Sequence, residues 1–203
     1  HRRIMLEHIY HIEHTQSPTL VLLHGYGSNM HDLFGLKQYL PPMNILCFQA
    51  PKDIGMGGFA WYDINWDNGK KIIDAEEVRS AALLVEESIT LWRETHNINR
   101  AVICGGFSQG AILSMAMLKG EYEASGFVLM SGYMLPEWRN TDWNISAPVL
   151  QTHGTTDHVI PYEWAESGAK LLENKDFEFK SYPMAHNLNA ECIEDVNRFL
   201  QQF

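Results

Sequence analysis

The chain has 203 residues, 45% hydrophobic and 20% charged, with a formal net charge of -10. That length and apolar content bury one large core and hardly two, so a single domain over 5–203 is expected. No apolar stretch reaches membrane-spanning length and no apolar h-region opens the chain. A cytoplasmic setting without integral membrane association is therefore expected, and the negative charge disfavours nucleic acid and anionic membrane surfaces as partners.

His1-Arg2-Arg3-Ile4, ahead of Met5, reads as a vector-derived remnant and is left out of the predicted fold. Leu6 to His14 alternates weakly, as an edge strand does. Thr19 to His24 is a continuous apolar run halted by Gly25, the pattern of a strand buried on both faces, and Asn44 to Gln49 repeats it. Lys52 to Lys71 is irregular and carries Trp and Gly, which suits a shaped loop. Ala75, Val78, Ala82, Val85, Ile89 and Trp92 recur at three and four residues, with Glu76, Glu77, Arg79, Glu86, Glu87 and Arg93 between them. This is a long amphipathic helix. Ala101 to Gly105, Gly126 to Ser131, Val149 to His153 and Phe177 to Tyr182 are further strand runs, and a second irregular stretch covers Leu135 to Ser146. Asn189 caps a last helix whose buried stripe is Cys192, Ile193, Val196, Phe199 and Leu200. Short strands alternating with helices predict an α/β fold, a mostly parallel central sheet with helices on both faces and no insertion large enough for a separate cap domain. Cys47, Cys104 and Cys192 are widely spaced in apolar contexts and read as reduced, buried thiols.

The chemistry concentrates at Gly106-Phe107-Ser108-Gln109-Gly110, a G-x-S-x-G pentapeptide between the apolar run ending at Gly105 and the helical run Ala111 to Leu118. About one chain in fifteen of this length carries the bare pattern by chance. The strand before it and the helix after it are what make it a nucleophile elbow, with Ser108 Oγ exposed at the edge of an α/β-hydrolase sheet. A serine hydroxyl is a poor nucleophile at neutral pH, so catalysis needs a base and a group to orient that base. The chain order of this fold puts an acid next and a histidine last. Asp157, in the loop just past the Val149 to His153 strand, is the best-placed acid. Asp142, Glu163 and Asp176 sit in polar loop or helix-entry contexts, where a turn or cap role is the commoner reading.

His186, in Tyr182-Pro183-Met184-Ala185-His186-Asn187 between the last strand and the last helix, has the order and setting of the base. His8, His11 and His14 are three apart in a strand-like segment and do not share a face, which makes a metal site there weak. His153 and His158 precede the last strand and read as loop hydrogen-bonding residues, and His24 as a residue shaping its turn. Acyl transfer also needs N–H donors for the developing oxyanion. The backbone N–H of Gln109, at the start of its helix, and that of Tyr26, in the loop His24-Gly25-Tyr26-Gly27-Ser28-Asn29, are the expected pair. That loop lacks the Lys and Ser/Thr of a phosphate-binding loop.

These residues resemble the small carboxylesterase and acyl-protein thioesterase branch of the α/β-hydrolases, the phospholipase/carboxylesterase family. The resemblance runs from Leu20 to Leu200. It rests on Leu23-His24-Gly25-Tyr26-Gly27, Ala50-Pro51 with Trp61-Tyr62-Asp63, the elbow through Ala111, Ser131-Gly132-Tyr133, Gly154 to Pro161, and Tyr182-Pro183-Met184 before His186. It implies Ser108, Asp157 and His186 as triad and Tyr26 and Gln109 as oxyanion donors, the residues reached above. It also implies hydrolysis of short to medium acyl esters and, in some members, of thioesters on lipidated proteins or of lysophospholipids. Related enzymes are often dimers; no apolar patch for a homodimer interface is legible here. Ser28 and Asn29 stand where many eukaryotic thioesterases carry an Asp, and Ala185 stands where a Gly usually precedes the histidine, which favours a general carboxylesterase over a dedicated protein thioesterase.

For the acyl pocket, Met56, Phe59, Trp61, Met134 and Val159 are the candidates, Val159 because the resemblance assigns the position two after the acid to that pocket. The expected reaction is two-step acyl transfer through a Ser108 acyl-enzyme, with no metal or organic cofactor. Two other classes compete. A noncatalytic ester- or lipid-binding module would not need the full set of three triad residues. A dienelactone-type hydrolase usually carries Cys as nucleophile, and the peptidases of this fold generally carry a large gating domain.

Overall fold

The computed structural model describes residues 3–203. His1 and Arg2 of the expected remnant lie outside the described residues, whereas Arg3 Nη1 donates to Glu94 at 3.0 Å and the Ile4 carbonyl accepts from Ser88 Oγ at 3.4 Å.

In chain order the elements are β1 (His8–His11), β2 (Thr19–Leu23), β3 (Asn44–Phe48), a hairpin of β4 (Lys52–Gly55) and β5 (Gly58–Ala60), a second hairpin of β6 (Asn65–Asp67) and β7 (Lys70–Ile72), and the helix α1 (Ala75–His96). They continue with β8 (Val102–Phe107), α2 (Gln109–Lys119), β9 (Gly126–Met130), β10 (Val149–Gly154), α3 (Tyr162–Lys170), β11 (Phe177–Tyr182) and α4 (Ala190–Leu200). Seven strands make one sheet in the order β1-β3-β2-β8-β9-β10-β11; β1 runs antiparallel at the edge and the others are parallel. This is the α/β arrangement that the alternation of strands and helices predicts.

Period-two alternation sorts the core into two layers. Val21, Leu23, Leu46, Phe48, Cys104, Phe127 and Leu129 point to the face covered by α1, α2 and α3. Leu20, Leu22, Ile45, Cys47, Ile103, Val128 and Met130 point to the other, where Leu33, Val196 and Leu200 meet them. Helix α1 starts where Asp74 accepts from Glu76 N and stops at Asn97, whose φ of 54° is left-handed. Its predicted stripe faces the core: Val78, Ala82, Val85, Ile89 and Trp92 are all 1% exposed or less, and Ala75 at its start is half-buried against them. In α4 the predicted cap holds, with Asn189 Oδ1 accepting from Cys192 N at 2.9 Å.

Three parts differ from the sequence expectation. Lys52 to Lys71 forms two β-hairpins rather than an irregular loop. Each turns on a pair of positive-φ residues, Met56-Gly57 and Asn68-Gly69, the geometry of a two-residue type I′ turn that follows the strand twist. Asn68-Gly69 is the sequence signal of the second hairpin; Met56-Gly57 gives the first no such signal. Helix α3 and the 3₁₀ turn Leu33–Tyr39 were not predicted, because α3 buries only Ala165, Gly168 and Ala169 and the turn only Leu33, too few large apolar side chains to make a stripe.

The chain leaves β2 toward β3 on one side and returns to β8 on the other, which opens a crevice at the C-terminal ends of β2 and β8. There the elements are in near contact. A Cβ on Gly106 would stand 2.6 Å from the Leu23 carbonyl oxygen, and one on Gly110 would collide with that oxygen and with the His24 carbonyl at 2.7 Å. Replacing Gly110 with Ala pushes α2 off β2; a loss of about 3 kcal/mol or more in unfolding free energy is expected, measured by urea denaturation. A variant as stable as the parent would show that α2 does not depend on this approach.

Candidate active site

Ser108 sits between β8 and α2 with φ 57° and ψ -115°, a strained conformation for a residue with a side chain. Its backbone is pinned on both sides: Ser108 N donates to the Met130 carbonyl at 2.8 Å, and the Ser108 carbonyl accepts from Ala111 N at 3.0 Å and Ile112 N at 3.1 Å. The turn aims the hydroxyl at the loop after β11. His186 Nε2 lies 2.9 Å from Ser108 Oγ, and His186 Nδ1 lies 2.7 Å from Asp157 Oδ2. The structure thus brings together the three side chains that the sequence singled out, from loops 78 and 29 residues apart in the chain.

The Asp157 carboxyl is fully enclosed and satisfied on both oxygens. Oδ1 accepts from Val159 N at 2.9 Å and Ile160 N at 2.8 Å. Oδ2 faces His186 and, at 3.3 Å, His153 Nε2. Because His153 Nε2 also meets the Ile160 carbonyl at 2.8 Å, both its neighbours are acceptors, and this nitrogen carries the ring proton. His153 therefore braces the acid loop, a role beyond the generic loop hydrogen bond expected of it.

His24 does for the Tyr26 loop what His153 does for the acid. Its Nε2 accepts from Ala50 N at 3.0 Å, so Nδ1 holds the proton and donates to the Gly25 carbonyl at 2.8 Å. Trp61 Nε1 donates to the His24 carbonyl at 2.8 Å. The Gln109 side chain completes the frame: Oε1 accepts from Trp61 N at 2.7 Å and Nε2 donates to the Tyr62 carbonyl at 2.8 Å. This side-chain clamp is additional to the backbone role expected of Gln109, and its signal in the sequence is a polar residue at a position that must be buried. Tyr26 and Gln109 both border the cleft with Ser108 and His186, and no described residue accepts from either backbone N–H.

The cleft is about 360 Å³. Of the five acyl-pocket candidates, Val159 lines it and the other four do not. Met56 is fully exposed at the tip of the β4–β5 turn. Phe59 has its backbone paired to Ser28 and Gly27 and packs on the main core. Trp61 is 2% exposed beneath the Tyr26 loop. Met134 lines a neighbouring groove. The residues that do wall the cleft include Tyr62, Ile64, Ile73, Ile112 and Ile160, ordinary apolar residues that only the folded chain gathers. A roomier cavity of about 610 Å³ beside α4 is lined by no Ser, Thr, Cys or His side chain. Among the described residues no group of three His, Cys, Asp or Glu side chains is arranged to hold a metal ion. No described helix is long and apolar enough to cross a membrane. Cys47, Cys104 and Cys192 are free and buried, and burial pushes the Cys47 thiol up to about 12 and Cys192 up to about 11.

The sheet order and the elbow at its C-terminal edge define an α/β-hydrolase. A sequence model of the Phospholipase/Carboxylesterase family matches residues 6–203, and the chain belongs to that family. Acyl-protein thioesterase 1 of Kluyveromyces lactis is 31% identical over 206 residues, covering 90% of this chain and 90% of the relative. Among solved structures, esterase PE8 superposes with a TM-score of 0.83 at 21% identity, covering 99% of each chain. The Bacillus cereus carboxylesterase does so with a TM-score of 0.80 at 22% identity, covering 98% of this chain and 94% of that one. At those identities the structural likeness establishes the fold; the family membership makes the protein a hydrolase.

Burial lowers the pKa of both His24 and His153 from the ordinary 6.5, outweighing the carbonyls and carboxylates near them. Burial thus favours the neutral ring more in the folded protein than in the unfolded chain, so the unfolded state binds more protons as pH falls below 6.5. Their contribution to stability is full above that value and is lost as pH falls through the lower folded-state values. Urea unfolding at about pH 7.5 and about pH 5.5 should give a smaller free energy at the acid end; an equal or larger one contradicts the neutral assignment.

Proposed function

We propose that this protein is a serine carboxylesterase acting on short to medium acyl esters through an acyl-enzyme, with the domain at 5–203 as the catalytic unit. The observation that carries the reading is the unbroken chain of two short hydrogen bonds from Ser108 Oγ through the His186 ring to Asp157 Oδ2. Asp157, accepting from Nδ1–H, leaves Nε2 bare toward the serine. Ser108 Oγ attacks the ester carbonyl as its proton passes to His186 Nε2, and the Tyr26 and Gln109 N–H groups receive the oxyanion. His186 returns the proton to the departing alcohol; water then repeats the cycle on the acyl-enzyme. The cavity size suits an acyl group of modest length, and the apolar walls suit hydrocarbon. Free, buried thiols accord with a cytoplasmic setting.

One observation favours thioesters as a second reading: the Kluyveromyces lactis relative is named an acyl-protein thioesterase. The same three residues serve both, since only the leaving atom changes. Turnover of p-nitrophenyl esters and matched thioesters, ranked by kcat/KM, separates the two readings.

Ser108→Ala should lower kcat by at least about four orders of magnitude and abolish fluorophosphonate labelling, while unfolding free energy stays within about 1 kcal/mol. A variant that turns over at the parent rate rules Ser108 out as nucleophile. Asp157→Asn should cost about 10⁴-fold in kcat by releasing the imidazole tautomer; a loss under tenfold would mean that another group orients His186.

A further inference from the structure

The β6–β7 hairpin sets one cation at the junction of two spaces. Lys71 is the half-buried residue of β7, with Lys70 and Ile72 exposed on either side. Together with Trp66 and Ile73 it lines the cleft that holds Ser108 and His186, and the same three residues line an adjoining groove of about 440 Å³. The two spaces therefore meet at this hairpin.

The ammonium of Lys71 is partly withdrawn from solvent without a counter-ion. Lys52, on the neighbouring hairpin, is held by Glu77 at 2.6 Å and Asp63 at 3.2 Å. Lys71 Nζ instead stands 6.0 Å from the centre of the Tyr133 ring, and among the described residues it pairs with no carboxylate. Burial depresses its pKa, with the Asp157 field opposing that effect. The charged groups lining the groove are Lys70, Lys71 and Arg139 against Glu137 alone, and Arg139 spends a donor on Ser167 Oγ rather than on a carboxylate. In a chain of net charge -10 this is a local reversal of sign beside the nucleophile. Most of the remaining walls, among them Met134, Leu135 and Trp164, are apolar. A half-buried cation in an apolar groove is a desolvation penalty that an anionic ligand relieves by a charge-assisted hydrogen bond.

We propose that Lys71 makes the cleft and its adjoining groove a site for acyl esters that carry a carboxylate or phosphate, set apart from the scissile carbonyl by an apolar spacer. This names a substrate class for the esterase reading above and rests on it for turnover, though not for binding. Lys71 selects the substrate and takes no part in the proton transfers.

The test compares p-nitrophenyl half-esters of dicarboxylic acids, of graded spacer length, with p-nitrophenyl esters of neutral acids of equal length. A second series carries the carboxylate or phosphate on the leaving alcohol. Wild-type protein should prefer the anionic member of at least one series, which also shows on which side of the ester the anion lies. In Lys71→Met the anionic-to-neutral ratio of kcat/KM should fall about 10- to 100-fold, mainly through KM, and Lys71→Arg should retain it within about threefold. A ratio unmoved in Lys71→Met, or no anionic preference in either series, overturns the proposal. If no ester turns over, the esterase reading fails separately. Calorimetric titration of wild type and Lys71→Met with the free dicarboxylates then decides the site: binding lost in the variant sustains it, and no binding to wild type overturns it.

Discussion

Everything at the site depends on how closely the elbow can approach the neighbouring strand. The backbone of Gly106 and Gly110 packs directly on the Leu23 carbonyl, at distances where no side chain fits. That contact lets α2 begin immediately after β8, with Ser108 held at φ 57° as the single residue between them. Loosen the approach and the hydroxyl moves relative to His186, which is carried by a different loop from the far side of the sheet. The strain at Ser108 is tolerated because its N–H and carbonyl are fixed by Met130, Ala111 and Ile112.

Around that contact the protein builds rigidity from buried neutral polar groups rather than from ion pairs. His24 ties the Tyr26 loop to Ala50, Trp61 ties it to the next hairpin, and the Gln109 amide locks that hairpin to the elbow. His153 and two backbone N–H groups hold Asp157 in the same manner. The His24 ring and the Gln109 amide are paired on both of their polar atoms, and His153 through Nε2, which is how a buried polar network specifies one geometry. The exposed Lys–Glu and Arg–Asp pairs on the surface contribute little by comparison.

Much of the fold was legible because strands buried on both faces read as continuous apolar runs: Thr19 to His24, Gly126 to Ser131 and Val149 to His153 all appear as strands of the central sheet. The stripe of α1 and the Asn189 cap were legible for the same local reason. Helix α3 was not, since its contact face is made of Ala and Gly, and the two hairpins were obscured by their polar and aromatic composition. The candidate chemical residues were reachable from order along the chain. The pocket was not: Met56 and Trp61 are equally apolar, yet one lies in solvent and the other in the core.

By itself, the sequence determined what is local. Apolar periodicity set the strands and helices, glycine placement set the elbow, and the order of Ser108, Asp157 and His186 followed the chain order of the α/β-hydrolase fold. The tertiary structure alone decided which side chains share a space. Val159 joined the cleft while Phe59 and Met134 left it, the Gln109 amide became a clamp, and Lys71 came to line the same cleft as Ser108. Those outcomes depend on contacts between segments far apart in the chain, where packing and burial select the partner and no local pattern records the choice.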